Sequence, residues 1–323
     1  VELVEAAAGD EGGEELGPLN RKERRRMNRK LRSRGRNRVS NDEKGTSMSR
    51  NKALSQNLLV DPGTIFRMVD ALQDASPGGR CVVELGPGLG ALTGPLLEEY
   101  PEMSAVELDP QACGQLRESM PGLNLVEGSL LDVDFAKLSE ERGGALSVIS
   151  NLPFGITSSA LYHLLDASPH ISRAVLLVQQ EAADRILSDP SRRKYGTMAI
   201  EFGIRCRSAR QIAAVPSIAF DPPPKNTKSA ILEIDFVGEE DLPLSGFEMR
   251  VLRNCMQAGF DDKALPLAAA LPKRRELREL VPNLREYCEG GANWLQKKPA
   301  ELAPGKWVHA ARALSQYALA MEE

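Results

Sequence analysis

Five short apolar segments, separated by stretches with helical periodicity, constrain the fold of this chain most strongly. The apolar segments cover residues 81–85, 104–108, 123–126, 145–149 and 174–178. The helical stretches between and after them cover residues 91–100, 110–120, 158–167 and 180–188. Regular alternation of buried strands with helices is typical of a parallel sheet that carries helices on both faces. The sequence therefore predicts an α/β fold with a doubly wound sheet.

The flanking segments extend this plan. Asp61-Pro62 predicts the N-cap and first residue of a helix, because a carboxylate accepts backbone N–H groups there and proline fits the first turn. Later elements are a helix and two antiparallel strands joined by a proline-rich turn, at residues 196–206, 211–215 and 229–236.

Only helical patterns follow residue 245. They cover residues 247–258, 274–280 and 307–319. We therefore expect a main domain over residues 47–238 and a small helical domain over residues 239–323.

Composition excludes several classes of protein. The longest apolar runs, such as residues 174–178, are far shorter than the roughly 20 residues of a membrane helix, so we expect no membrane partner. The five cysteines are odd in number and never two residues apart, which argues against a disulfide framework and a zinc site. Three histidines make a multi-histidine metal site a poor explanation. We expect no bound metal.

Charge is distributed unevenly along the chain. Residues 1–20 contain six acidic and no basic residues, whereas residues 21–40 contain eleven basic residues and one acid. With so little apolar surface, residues 1–46 are predicted to be a disordered extension. We interpret it as a solvated linker or the remnant of a targeting peptide, or as an arm that neutralises nucleic-acid phosphates, and the two interpretations are compatible.

The remainder of the chain, residues 47–323, has a net charge of −7. Any contact with phosphate would therefore fall to local basic clusters. These clusters are residues 192–194, Arg205 with Arg207 and Arg210, Lys225 with Lys228, and residues 273–275.

A glycine-rich turn follows the first predicted strand. Gly86, Gly88 and Ala91 satisfy the dinucleotide pattern G-x-G-x-x-A, and Glu107 lies about 20 residues further on, where a ribose-binding acid is expected. Glycine lets the backbone bend sharply and approach a ligand closely. The pattern admits NAD or any other adenosyl ligand. The alternative for Glu107 is a helix cap, a role that Asp109 fits better.

The segment after the fourth strand distinguishes between these ligands. Asn151 offers a side-chain carbonyl oxygen, and Leu152 and Pro153 add backbone carbonyls, so two acceptors could hold an exocyclic amine. Phe154 supplies a stacking face. This combination suits a flipped adenine and has no role in a dehydrogenase.

Together these motifs resemble the rRNA adenine-N6 dimethyltransferase family, across about residues 50 to 310. The matching segments, in family order, are residues 55–61, 84–93, 106–109, 151–154, 177–181, 194–196, 220–225 and 229–230. The resemblance implies a Rossmann-like methyltransferase sheet and S-adenosyl-L-methionine as the cofactor. It also implies dimethylation of adenine N6 in small-subunit rRNA, during maturation of the small ribosomal subunit, by a protein that we expect to be monomeric. The small helical domain, residues 239–323, would contact the RNA or the ribosomal subunit.

The resemblance also implies roles for individual residues. Asn151 and the Pro153 carbonyl would orient the target amine, while Phe154 and Phe220 would flank the base. For Phe220, a core position at the start of a strand is an equal alternative. The residues that would contact the cofactor are Gln56, Asn57, Leu59, Gly86, Gly88, Glu107, Ser129 and Asn151.

Two departures from the family pattern leave a second function open. Ser129 stands where the family usually has an aspartate that contacts the cofactor's adenine, and Asp261 and Asp262 replace part of a basic stretch. The alternative is a ribosome-assembly or organellar transcription factor that retains the fold with little or no activity. Phe154 in place of the commoner tyrosine, together with the basic extension, favours a chloroplast or mitochondrial location over the bacterial cytoplasm.

Overall fold

The structure, a computed structural model, describes residues 58–225 and 227–321. The predicted extension, residues 1–46, and the predicted cofactor residues Gln56 and Asn57 lie outside the described residues. None of the described helices is long and apolar enough to cross a membrane.

The described strands form two sheets. In chain order they are β1 (Leu58–Leu59), β2 (Val82–Leu85), β3 (Ser104–Glu107), β4 (Asn124–Glu127), β5 (Leu146–Asn151), β6 (Ile171–Gln179), β7 (Cys206–Val215), β8 (Phe220–Asp221) and β9 (Ser229–Phe236). The large sheet has the order β4-β3-β2-β5-β6-β9-β7, and the small one pairs β1 with β8. The first five strands of the large sheet are parallel, whereas β9 is antiparallel to β6 and β7 to β9. This arrangement confirms the predicted doubly wound sheet and its antiparallel pair.

Twelve helices are described. In chain order they are α1 (Pro62–Leu72), α2 (Thr93–Glu99), α3 (Pro110–Ser119), α4 (Phe135–Arg142), α5 (Thr157–Asp166), α6 (Gln180–Ile186), α7 (Thr197–Arg205), α8 (Gly246–Asp261), α9 (Leu267–Ala270), α10 (Arg275–Leu280), α11 (Leu284–Glu289) and α12 (Pro304–Ala320). The α1 cap is as predicted, since the Asp61 carboxylate accepts from the Thr64 backbone N–H at 2.7 Å.

The central strands of the large sheet are buried on both faces, whereas β4 is mostly exposed because it lies at the sheet edge, so the expectation of a buried strand at residues 123–126 is wrong. Val82 and Ile149 point into a core with α1 and α2, whereas their neighbours Val83 and Val148 point into a second core with α5 and α6. Successive strand residues face opposite sides, so only an uninterrupted apolar run can fill both cores. This explains why the strands appear in the sequence as continuous apolar segments.

The C-terminal helices surround a third core around Trp307, which is fully buried. Ile200 and Ile204 of α7 belong to the same core, so α7 joins the helical region to the sheet. The Arg253 guanidinium of α8 strengthens this junction by donating to Glu201 of α7 at 3.0 Å. The Glu201 side chain is 3% exposed. The described residues after 245 are helical without strands, as the sequence predicts.

Candidate active site

A pocket of about 260 Å³ lies at the carboxyl edge of the parallel strands. Its wall is formed by residues 58–60, by Glu84 with residues 86–92, and by residues 151–154. The carboxyl edge is where ligands bind in open α/β sheets. The fold thus brings three segments that the sequence analysis singled out separately into one concave site.

The N-terminal wall of the pocket depends on the small sheet. Leu59 pairs with Phe220 across β1 and β8, and the backbone N–H of Val60 donates to the Ala219 carbonyl at 2.8 Å. Leu59 lines the pocket, as expected for a predicted cofactor residue. Phe220 is 2% exposed and packs in the core behind that wall. It does not line the pocket, so the structure matches its alternative position, a core aromatic at a strand start.

The glycines of the turn serve different purposes. Gly86, Gly88 and Gly90 all have positive φ, at 67°, 56° and 86°. No heavy atom lies within 4 Å of the place where a Cβ of Gly86 would stand, so this glycine leaves open space in the pocket wall. A Cβ at Gly90 would instead meet the Met120 Cε at 2.8 Å. Gly86 therefore gives a ligand access, whereas Gly90 allows the turn to pack on α3.

Glu107 holds the turn in place. Its Oε2 accepts from the Gly88 backbone N–H at 2.8 Å, and its Oε1 accepts from the N–H groups of Leu108 and Asp109, each at 2.8 Å. A carboxylate has about four lone-pair sites, so one remains for a ribose hydroxyl. The cap of α3 belongs to Asp109, which accepts from the Gln111 N–H. The sequence analysis assigned that cap to Asp109, and the assignment is confirmed.

Glu84 is a pocket residue that the sequence analysis did not single out. It is 1% exposed, it lines the pocket, and its Oε2 has no hydrogen-bond partner among the described residues. Burial raises the pKa of Glu84 to about 8; the Thr93 hydroxyl opposes this shift and the Glu107 carboxylate adds to it. The signal in the sequence was a lone acid within the apolar segment at residues 81–85.

The end of β5 supplies the hydrogen-bond acceptors. Asn151 and Phe154 both line the pocket, and the Leu152 backbone N–H donates to the Leu177 carbonyl at 3.1 Å. The Leu152 side chain is 1% exposed, so it anchors the loop in the protein core. The segment is therefore set by the sheet before any substrate binds.

The Pro153 carbonyl is already engaged. It accepts from the Ile156 backbone N–H at 3.2 Å and from the Thr157 hydroxyl at 3.0 Å, at the start of α5. No donor among the described residues reaches the Leu152 carbonyl. The Leu152 carbonyl is therefore more available to a ligand than the Pro153 carbonyl, and a contact between the Pro153 carbonyl and the target amine remains a prediction. Proline at position 153 still fixes the backbone.

Ser129 lies outside the pocket wall. Its hydroxyl accepts from the Leu131 N–H at 3.1 Å and so caps a short 3₁₀ turn. The preceding Gly128 N–H donates to the Glu107 carbonyl at 2.8 Å, which keeps this loop beside the end of β3. A contact between Ser129 and a cofactor remains a prediction.

Comparison with known proteins decides the family. The family described as "Ribosomal RNA adenine dimethylase" matches residues 47–275. The chain belongs to this family. It is 34% identical over 268 residues to a ribosomal RNA small subunit methyltransferase A of Cupriavidus metallidurans, covering 81% of this chain and 91% of that protein. A protein of the same name from Prosthecochloris aestuarii is 40% identical over 191 residues, 59% of this chain and 71% of that protein.

Solved structures related to this rRNA adenine dimethylase have the same fold. A dimethyladenosine transferase from Plasmodium falciparum superposes with a TM-score of 0.67 at 22% identity, covering 80% of this chain and 98% of that chain. The 23S rRNA methyltransferase ErmE superposes with a TM-score of 0.58 at 22% identity, over 80% of this chain and all of that one. The Rossmann-like methyltransferase fold is thereby confirmed.

The cofactor of this rRNA adenine dimethylase is S-adenosyl-L-methionine, and the pocket fits it in two respects. The open space at Gly86 provides a cradle that a side chain would fill. The orphaned Glu84 oxygen provides a buried acceptor, and the ligand carries cationic ammonium and sulfonium groups. Glu107, one hydrogen bond away through Gly88, would hold the ribose.

Proposed function

We propose that this protein dimethylates the N6 amine of adenines in small-subunit ribosomal RNA, using S-adenosyl-L-methionine. The observation that carries the proposal is the juxtaposition, in one pocket, of the glycine turn with the acceptor pair of Asn151 and Leu152. The family and the small-subunit methyltransferases that the chain resembles support the same reaction.

The acceptor pair explains how the amine becomes reactive. The lone pair of an adenine amine is delocalised into the ring, so the amine is a poor nucleophile. Hydrogen bonds from its two N–H groups to the Asn151 side-chain oxygen and the Leu152 carbonyl would turn the lone pair toward the cofactor. When bound, S-adenosyl-L-methionine supplies the methyl group, and the amine releases one proton for each methyl it gains.

No base is needed before methyl transfer. Among the described residues that line the pocket, Glu84 alone has an ionisable side chain. It is buried beside the glycine turn. The proton lost from the methylated amine can leave to water afterwards, so the acceleration comes from positioning. Phe154 lines the pocket, where its ring would stack on the base. The adenine must leave its stack, which favours an unpaired loop or the end of an RNA helix.

Methyl transfer to immature small ribosomal subunits tests the proposal. We expect the wild type to incorporate radiolabelled methyl groups, and Asn151→Ala to lower turnover about a hundred-fold, or ~3 kcal/mol, with little change in cofactor affinity. Asn254→Ala, in α8 and outside the pocket wall, is the matched control. A wild type that neither binds the cofactor nor transfers methyl groups would support the alternative, an assembly or transcription factor without turnover.

The finer features of the proposal follow from the sequence. We propose that the protein acts as a monomer during small-subunit maturation, in an organelle, as the basic segment within residues 21–40 and Phe154 favour. Fluorescence microscopy of the tagged full-length chain tests the location. A purely cytoplasmic signal would contradict it.

A further inference from the structure

Ile218 is the most exposed large apolar residue in the part of the chain that the structure describes. It is 78% exposed, whereas the other exposed residues of this kind range from 46% to 55%. Scattered apolar residues are normal on protein surfaces, so exposure alone assigns no role to Ile218. Its position relative to the pocket does.

The segment after β7 brings Ile218 to the rim of the pocket. β7 ends at Val215 beside the start of β9, and β9 starts beside the end of β6. Because β6 is parallel to the strands whose carboxyl ends form the pocket, residues 216–221 emerge at the same edge of the sheet. The carbonyl of Ala219, directly after Ile218, accepts from the backbone N–H of Val60 at 2.8 Å, and Val60 lines the pocket. Ile218 itself is outside the pocket wall, so it stands next to the opening and not within it.

The backbone around Ile218 is held firmly. Ile218 lies in a short 3₁₀ turn, Ser217–Ala219, which the Ala219 N–H closes by donating to the Pro216 carbonyl at 3.0 Å. The Phe220 N–H donates to the Ser217 carbonyl. Ala219 and Phe220 are each 2% exposed, so the residues that follow Ile218 are anchored in the core. A β-branched side chain also has few rotamers. The turn therefore presents a stiff apolar side chain to solvent at the pocket rim.

Two exposed cations follow the turn in the chain. Lys225 and Lys228 lie in the connection between β8 and β9, and neither forms an ion pair with a carboxylate among the described residues. Arg210, from another of the basic clusters, pairs with Glu233 at 2.8 Å. The turn and the connection after it therefore combine an exposed apolar tip with unpaired positive charge. This combination suits a ligand with flat apolar surfaces and negative charge, as the bases and phosphates of RNA provide.

We propose that Ile218 is a wedge, whose side chain enters the gap that the target adenine leaves in the RNA stack when it turns into the pocket. The proposal rests on the proposed function, because that function requires an adenine to leave its stack. A departing base uncovers the faces of its neighbours, and an apolar side chain inserted between bases covers such faces. The Ile218 side chain leaves water in the same step. The wedge thus favours the unstacked form of the substrate without touching the reacting atoms.

The test measures unstacking of the target base and methyl transfer separately, with variants of the full chain. The substrates are immature small subunits reconstituted with rRNA that carries either adenine or fluorescent 2-aminopurine at the methylated position. Ile218→Ala removes the wedge, and Ile218→Leu restores an apolar side chain of equal size. Leu319→Ala is the matched control, because Leu319 is 55% exposed and lies in α12, outside the pocket wall. Cofactor affinity, which we expect to be the same in all variants, checks that the pocket is intact.

The fluorescence of 2-aminopurine is weak in a base stack and strong outside it. We expect the wild type to raise the fluorescence on binding, and Ile218→Ala to bind but to give an increase at least about five-fold smaller. In methyl transfer, Ile218→Ala should lower kcat about ten-fold and leave KM within about three-fold, because the wedge acts after the RNA has bound. Ile218→Leu should recover at least about half of both signals, since leucine also inserts between bases. Leu319→Ala should match the wild type.

Three results would overturn the wedge. The first is an Ile218→Ala variant with the fluorescence increase and the kcat of the wild type, and the second is a wild type that gives no fluorescence increase. The third is a wild type that sediments as a dimer while Ile218→Ala sediments as a monomer, because Ile218 would then belong to an interface between two copies of the chain.

The two readouts also separate failure of the wedge from failure of the proposed function. A wild type that unstacks 2-aminopurine more than Ile218→Ala does, but transfers no methyl group, would contradict the proposed function and support the wedge. A wild type that methylates the subunits, with Ile218→Ala equal to it in both readouts, would contradict the wedge alone.

Discussion

Replacing Glu84 by glutamine makes the stability of the protein less dependent on pH. The carboxyl is 1% exposed, and burial raises its pKa from 4.5 to about 8. The group therefore ionises near pH 4.5 in the unfolded chain but only near pH 8 in the folded one. The folded state binds the proton more tightly, so the contribution of Glu84 to stability is greatest below pH 4.5, falls as pH rises from 4.5 to 8, and is constant above that range.

The size of the effect follows from the same shift. One pKa unit corresponds to about 1.36 kcal/mol, so the whole range is worth on the order of 4 to 5 kcal/mol. Burial is complete, so solvent screening removes little of it. Glutamine has the same shape and does not ionise. We expect Glu84→Gln to match the wild type within ~1 kcal/mol at pH 5 and to exceed its stability by a few kcal/mol at pH 9.

Urea unfolding without cofactor at pH 5, 7 and 9 measures this difference. Glu118→Gln on the exposed face of α3 is the control, because it removes the same charge from a position in solvent. The control should follow the wild type at all three pH values. If the free energy of unfolding of Glu84→Gln differed from that of the wild type by the same amount at each pH, the pKa of the carboxyl would not be raised by folding. The argument from burial would then be refuted.

Two further substitutions test the pocket. Gly86→Ala fills the cradle and places a side chain at φ 67°, so we expect cofactor affinity to fall at least about ten-fold and stability by ~1 to 2 kcal/mol. Calorimetric titration against the control Gly122→Ala checks this, and equal affinities would contradict it. We also expect Phe220→Leu to leave methyl transfer within about three-fold of the wild type, whereas Phe154→Leu lowers it about ten-fold or more. The reverse order in steady-state assays would place Phe220 against the base.

The sequence predicts the central strands of the sheet well because both faces of these strands are buried. Val82 and Val83 fill different cores, and a strand with this requirement must be apolar throughout. Strand β7 is longer than predicted, beginning at Cys206 and not at residue 211. Its first half lies at the sheet edge, with Arg207 and Ser208 exposed, so it lacks an apolar pattern.

Helix α4 was not predicted for a related reason. Phe135 is its one buried residue, so helical periodicity is absent from its sequence. The short helices α9 and α11 carry too few turns to show a pattern. Helices that bury few side chains show little hydrophobic periodicity in their sequence, even when their backbone is regular.

The sequence predicts which segments form the pocket but not which individual hydrogen-bond acceptors are available in it. The motifs located Gly86 and Asn151 correctly at one edge of the sheet. Which of two adjacent carbonyls is available depends on the turn that starts α5, and the engaged Pro153 carbonyl could not be recognised from residue types. For Phe220, the two alternatives differ only in the pairing of β8 with β1, which joins segments about 160 residues apart.

The three backbone donors that meet the Glu107 carboxylate have a consequence for cofactor recognition. These hydrogen bonds hold the loop in one conformation before the cofactor binds. The conformational entropy that a flexible loop would lose on cofactor binding has therefore already been lost during folding. Replacing Glu107 by a neutral residue would therefore make the loop more flexible and also remove one contact with the cofactor. The measured loss of binding free energy would be the sum of both effects.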